Sequence, residues 1–268
     1  MRYVAPTREA FDRRVLASPP LLDWAAYAHF IDSDAWPDTA GLNALLPADT
    51  AVRFVTQEPA LLADGLHYEE RIARGAIATR PANWHDLFNA LVWLRYPTLK
   101  HALNARQVAE IERMGPRERS RAQCALTHFD EAGIIVTLRD ADMLAAWDRH
   151  DWQTLFWTHR DAWLRGEARA EVFGHALLEH ALTPDKLLVG KAVVLMDVDD
   201  AAAVCAKAIA RGEILNDPQE LRPLPLSGLP GWHEGTAHAA FYTTAPCFQP
   251  VREGRVYPPA LGSAHASP

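Results

Sequence analysis

The longest apolar run in the chain, Leu187–Met196, covers ten residues and is broken by Lys191. A helix needs about 20 apolar residues to cross a bilayer, so no span is expected and the run reads as a buried strand over 188–198. A second β-branched run, Gly133–Leu138, reads the same way. The opening residues, Met1–Glu9, lack an apolar core of signal-peptide length. The three cysteines, Cys124, Cys205 and Cys247, are odd in number and form no C-x-x-C pair. They exclude a full disulfide framework and suit a reducing compartment. The expectation is a cytoplasmic protein with no membrane association.

The rest of the chain has to cover those strands. Short helices are expected near 21–31 and 41–46. Val52–Val55 reads as a strand, and the alternation of Leu66, Tyr68 and Ile72 predicts a second strand over 66–72, paired with it. Trp84–Arg95 spaces Leu87, Phe88, Leu91, Val92 and Leu94 as a helix does, and Pro97 stops or restarts it. Further helices are expected over 98–114, 117–127, 142–164, 172–182 and 200–211, with Gly115-Pro116 and Gly212 as stops. After Asn216, eight prolines from Pro218 to Pro259 forbid long elements. Pro223–Trp232 is expected to be a strap over the core. The reading is a single α+β domain over 1–250: a helical middle on a small sheet, a proline-rich C-terminal strap, and a flexible tail over 251–268.

Four polar clusters interrupt this apolar pattern. In Asn83–Asn89, His85 and Asn89 share a helix face, and His85 is a candidate acid, base or metal ligand. Asp86 either works with it or belongs to the helix start capped by Asn83. Lys100 and Asn104, again four apart, are candidates for holding a phosphate or carboxylate, or form a solvated face. Asp130-Glu131, at a strand entrance, suits a divalent cation or water activation, and equally a turn. His175 and Glu179 are placed to face one metal ion, or to lock a buried helix by hydrogen bonding. Gly174 before His175 signals close backbone packing. A helical phosphohydrolase pattern would need His67 ahead of His85-Asp86 and Asp130 after it, and a strand at His67 argues against it. No dinucleotide fingerprint, Walker loop or nucleophile elbow is present.

These clusters also carry a resemblance. Asn83–Leu91, Tyr96-Pro97, Lys100, Asn104, Phe129–Gly133, Phe173–Glu179 and the Pro-Leu-Pro before Gly231-Trp232 resemble the pattern of an uncharacterised family of proteobacterial proteins, a domain of unknown function, over residues 10–250. The resemblance implies no activity. It implies that His85, Asp86, Asn89, Lys100, Asn104, Asp130, Glu131, His175 and Glu179 belong to the family pattern, whereas His128 and His180 are local additions.

Two functions fit. The first is a hydrolase using a divalent metal or a His–carboxylate site. His175 and Glu179 would bind the ion and Asp130 or Glu131 would complete its shell or act as base. His85 would move the proton, and Asn89, Lys100 and Asn104 would hold the substrate. The alternative is a non-catalytic small-molecule or protein-binding protein in which the same residues are buried networks. With 27 basic against 34 acidic residues, a net charge of −7, nucleic acid is not the expected partner. Such a role would need the arginines of 106–121 on one face beside His85.

Overall fold

The computed structural model describes residues 3–115 and 118–262. Pro116, Arg117 and the last residues of the expected tail, 263–268, lie outside the described residues. The architecture is α+β, with small sheets and more helix than strand.

Strand β1 (Arg53–Thr56) pairs in parallel with β2 (Ala76–Thr79), in register Arg53 to Ala76. The parallel pairing requires a crossover, and α1 (Tyr68–Ala73) lies within it. This corrects the expected strand over 66–72. Tyr68 and Ile72 are four apart, a spacing that a helix satisfies as well as a strand. What decides is the capping box: His67 Nδ1 accepts from the Glu69 amide, and the Glu70 carboxylate accepts from the His67 amide. His67 is therefore a helix cap, and the objection to it drawn from a strand falls away.

Helices α2 (Trp84–Arg95), α3 (Pro97–Met114) and α4 (Arg121–Ala132) form the helical middle. Every residue of α2 from Asp86 to Trp93 is buried. The helix is thus enclosed on all sides rather than amphipathic. The main sheet has the order β4-β3-β5-β6. Its centre is the parallel pair β3 (Gly133–Leu138) and β5 (Val189–Met196), the two apolar runs seen in the sequence. Between them come α5 (Ala141–Asp148), α6 (Arg160–Leu164), β4 (Arg169–Val172) and α7 (His175–His180). Helix α8 (Ala201–Arg211) follows, ending at Gly212 with φ +71°.

Two expected helices are shorter than their periodicity suggested. The 142–164 segment breaks after α5, where His150 has φ +53°, and continues as a π-helical turn, Gln153–Thr158, before α6. The 172–182 segment is strand to Val172, because residues 169–172 pair antiparallel with β3. The strap is partly a strand: β6 (Arg222–Pro225) pairs antiparallel with β5 at the sheet edge, where prolines are tolerated. Leu224, Leu226 and Leu229 are buried beneath it, and the Trp147 indole donates to the Pro223 carbonyl at 2.8 Å. Within the segment 251–262, Leu261 exchanges backbone hydrogen bonds with Val194 and Met196.

Candidate functional site

Three helix ends meet at the site. Asn83 caps α2 by accepting from the Asp86 amide, which places His85 in the first turn. Glu131 lies in the last turn of α4, and His175 opens α7. Gly174 allows the approach of α7 to α4. A Cβ built on it would stand 2.4 Å from the Gly133 nitrogen and 2.5 Å from Ala132 Cα, so any side chain there would push the two helix ends apart. Asp130-Glu131 therefore sit on a helix terminus that runs directly into β3, not in a turn.

His175 Nε2 lies 3.0 Å from His85 Nε2 and 3.7 Å from Glu131 Oε2, and His85 Nε2 lies 3.9 Å from the same carboxylate oxygen. A point equidistant from the three atoms is about 2.1 Å from each, the circumradius of that triangle, and zinc–nitrogen bonds are ~2.0–2.1 Å. The two imidazole planes cross at 74° with centroids 4.4 Å apart. At 3.0 Å the two Nε2 atoms are within hydrogen-bond distance, so one ring can donate to the other, and both lie within reach of one ion.

The surrounding charges divide the two histidines. His175 is buried, 3% exposed. Burial, only partly opposed by the Asp130 charge, pushes its pKa down to about 3, so the ring is neutral. Burial also acts against protonation of His85, but there the hydrogen bond to Glu179 and the charges of Glu131, Glu179 and Asp86 outweigh it and hold its pKa above the ordinary value. Its Nδ1 sits 3.2 Å from Glu179 Oε2. Glu179 therefore stands behind His85, orienting it, and is outside the triangle that the spacing of His175 and Glu179 had suggested. Glu131 is raised by its burial and by the nearby Asp130 charge, against the pull of His85 and Lys100.

The remaining expected residues form the support of this triangle. Lys100, expected to hold a substrate anion, is only 4% exposed. It donates to Asp130 Oδ1 at 2.6 Å and to Asn89 Oδ1 at 2.9 Å, so its charge is spent inside the protein. Asp130 is half-buried, which alone would raise its pKa, but the Lys100 ammonium keeps it below the usual carboxylate range. Its other oxygen lies 3.8 Å from His175 Nδ1. Asn104 donates to Glu69 Oε2 at 2.7 Å, from behind the site. Asp86 does not join His85: its carboxylate clamps the Arg80 amide at 2.6 Å and the Arg80 guanidinium at 2.6 Å. That leaves His67, Asp86 and Asp130 around one cavity without a shared ligand point.

The triangle lies in the wall of a cavity of about 370 Å³. Its other walls are mostly polar: Gln57, Tyr68, Arg80, Gln107, Arg119 and Thr127. Glu69, also in the wall, is pushed up to about 7 by burial and by the Asp130 charge. Tyr68, Glu69 and Arg119 were not singled out from the sequence. Tyr68 and Glu69 were hidden by the strand reading of their helix. Arg119 lay in a run of mixed charge whose neighbours do make surface contacts: Arg113 pairs with Glu110 and Arg121 with Asp217.

Residues 52–252 match the model of a family described as a protein of unknown function (DUF3025), and the chain belongs to that family. All the motif residues that carried the resemblance fall inside this span, while the first fifty-one residues lie outside it. No curated protein and no solved structure matches the chain.

Proposed function

We propose that this family member is a metal-dependent hydrolase, with one divalent cation held by His85, His175 and Glu131 at the wall of the polar cavity. The observation that supports it is the convergence of three ligand atoms from three separate helices on a point at metal–ligand bond length. Two histidines and one carboxylate are the donor set of hydrolytic zinc sites, with positions left open for water and substrate. The pairing of Glu179 with His85 Nδ1 repeats the carboxylate–histidine arrangement that fixes a ligand's tautomer.

The ion would polarise a substrate oxygen and lower the pKa of water. The chain's own residues do the rest. Glu179 aims His85, burial keeps His175 free of a competing proton, and Asp86 holds Arg80 at the cavity wall. Lys100 keeps Asp130 ionised beside His175. The polar lining suits a small polar substrate.

The test is turnover of phosphoester, ester and amide substrates by protein loaded with zinc, manganese or cobalt, against chelated protein. Metal-dependent hydrolysis that disappears in His85→Ala and Glu131→Gln is the expected result. Loaded protein with no hydrolysis on any of them would favour the binding-protein reading, for which the buried Lys100–Asp130–Asn89 network is the supporting observation. Iron as the retained ion would point to oxygen chemistry, since the same donor set serves Fe(II).

A further inference from the structure

A chain of hydrogen bonds fixes the direction of one proton in the cavity. Lys100 Nζ has only donors, so the Asn89 side-chain atom 2.9 Å from it must be the carbonyl oxygen. That sets the amide of Asn89 the other way, and its Nδ2 donates to the Tyr68 hydroxyl oxygen at 2.9 Å. Among the described residues this is the only hydrogen bond to that hydroxyl. Tyr68 is therefore an acceptor toward the protein interior, and its own O–H is left without an acceptor.

Tyr68 stands at the start of α1, held there by the His67 cap, and lines the same cavity as His85, Glu131 and His175. The residue as a whole is 37% exposed, while its phenol end is enclosed within the cavity wall. The neighbouring Glu69 makes no hydrogen bond to this hydroxyl among the described residues; its Oε2 accepts from Asn104. Burial of the phenol among Glu69, Asp130 and Asp86 raises its pKa, so it keeps its proton throughout the useful pH range. A fixed, uncharged donor at the wall of a metal cavity is what a reaction that builds charge on an oxygen requires.

We propose that the Tyr68 hydroxyl is the donor that holds the negatively charged oxygen of a metal-bound substrate, so that the site takes compounds whose reacting oxygen is or becomes anionic. The inference rests on the metal reading of the same site. Asn89 and Lys100 then act as positioning residues: they turn the Tyr68 proton outward. This gives the two residues a purpose that their burial alone does not.

The experiment uses full-length protein loaded with cobalt, whose visible spectrum reports on the ligands of the ion. Methylphosphonate serves as the anionic probe. Tyr68→Phe is expected to keep its cobalt content and its circular dichroism, to melt somewhat lower because the Asn89 amide loses its acceptor, and to bind methylphosphonate about 10- to 100-fold more weakly, the value of a hydrogen bond to a charged group. Equal affinity in wild type and variant would overturn the role of Tyr68 while leaving the metal site standing. A wild-type spectrum that methylphosphonate does not change would also overturn it. Failure of the wild type to bind cobalt would instead overturn the metal reading, and this inference with it.

Discussion

Replacing Lys100 by Met tests the support of the site. The ammonium lies 2.6 Å from Asp130 Oδ1, in a pair whose side chains are 5% and 21% exposed. Met fills a similar volume against Trp93, whose ring the ammonium also faces at 5.3 Å, so packing is largely kept. What remains is a half-buried carboxylate with no counter-ion. Breaking such a pair costs about 3–5 kcal/mol, a large fraction of the ~5–15 kcal/mol that holds a typical protein folded. The pH dependence has a definite sign. In the wild type Asp130 is held low, so its contribution is complete above the unfolded carboxylate pKa and fades only as pH falls through the folded value. In the variant, burial acts without Lys100 and the folded pKa rises above the unfolded one. The penalty is then greatest at neutral pH and shrinks as pH falls toward ~4. Urea unfolding at pH 7 and pH 5 measures this. The Lys100→Met/Asp130→Asn double variant removes both charges and should recover most of the loss, leaving about 1–2 kcal/mol for the lost hydrogen bonds. A loss below about 1 kcal/mol for the single variant, equal at both pH values, would refute the argument, because a surface-like pair behaves that way.

Other perturbations bear on the ligands directly. Glu179→Gln leaves the three proposed ligands in place but weakens the hold on His85 Nδ1, and should lower zinc affinity about 10- to 100-fold in competition with a chromogenic chelator; an unchanged affinity would show that Glu179 does not orient the ring. Because His85 is held above its ordinary pKa, zinc has to displace a proton, so affinity should fall as pH drops from 8 to 6 and calorimetry in buffers of different ionisation enthalpy should find proton release. Gly174→Ala brings a methyl group into the backbone of Ala132 and Gly133; it should cost about 1–3 kcal/mol in urea unfolding and weaken zinc binding as His175 moves from Glu131.

Much of this architecture is legible in the sequence, for identifiable reasons. The strands Gly133–Leu138 and Val189–Met196 are apolar on both faces apart from Thr137 and Lys191, as the central strands of a covered sheet largely must be. Helix α2 announces itself by Asn83 and an unbroken apolar period. The signal fails where two patterns coincide. Tyr68 and Ile72 satisfy strand and helix spacing together, and only the reciprocal bonds of His67 and Glu70 decide. At Val172 the helical period runs on into residues that pair with β3, a long-range contact that no local pattern contains. The site divides in the same way. His85, Glu131 and His175 stand out as polar residues at the ends of apolar elements, and the fold brings them together. Their partners do not follow from spacing. His175 and Glu179 share a helix, yet Glu179 serves His85, because α2 crosses α7 at that turn. Lys100 and Asn104 look like a solvated face until α3 is seen to bury them against Asp130, Asn89 and Glu69.

In the proposed site three residues hold one ion. Elemental analysis of purified protein by mass spectrometry, after loading with zinc and removal of the excess, tests it, with His175→Ala alongside. About one zinc per chain in the wild type and a trace in the variant, with both proteins equally folded by circular dichroism, is the predicted result. Equal zinc in the two, or none in the wild type after exposure to zinc, manganese and cobalt in turn, would contradict it and leave His85, Glu131 and His175 as a hydrogen-bonded network.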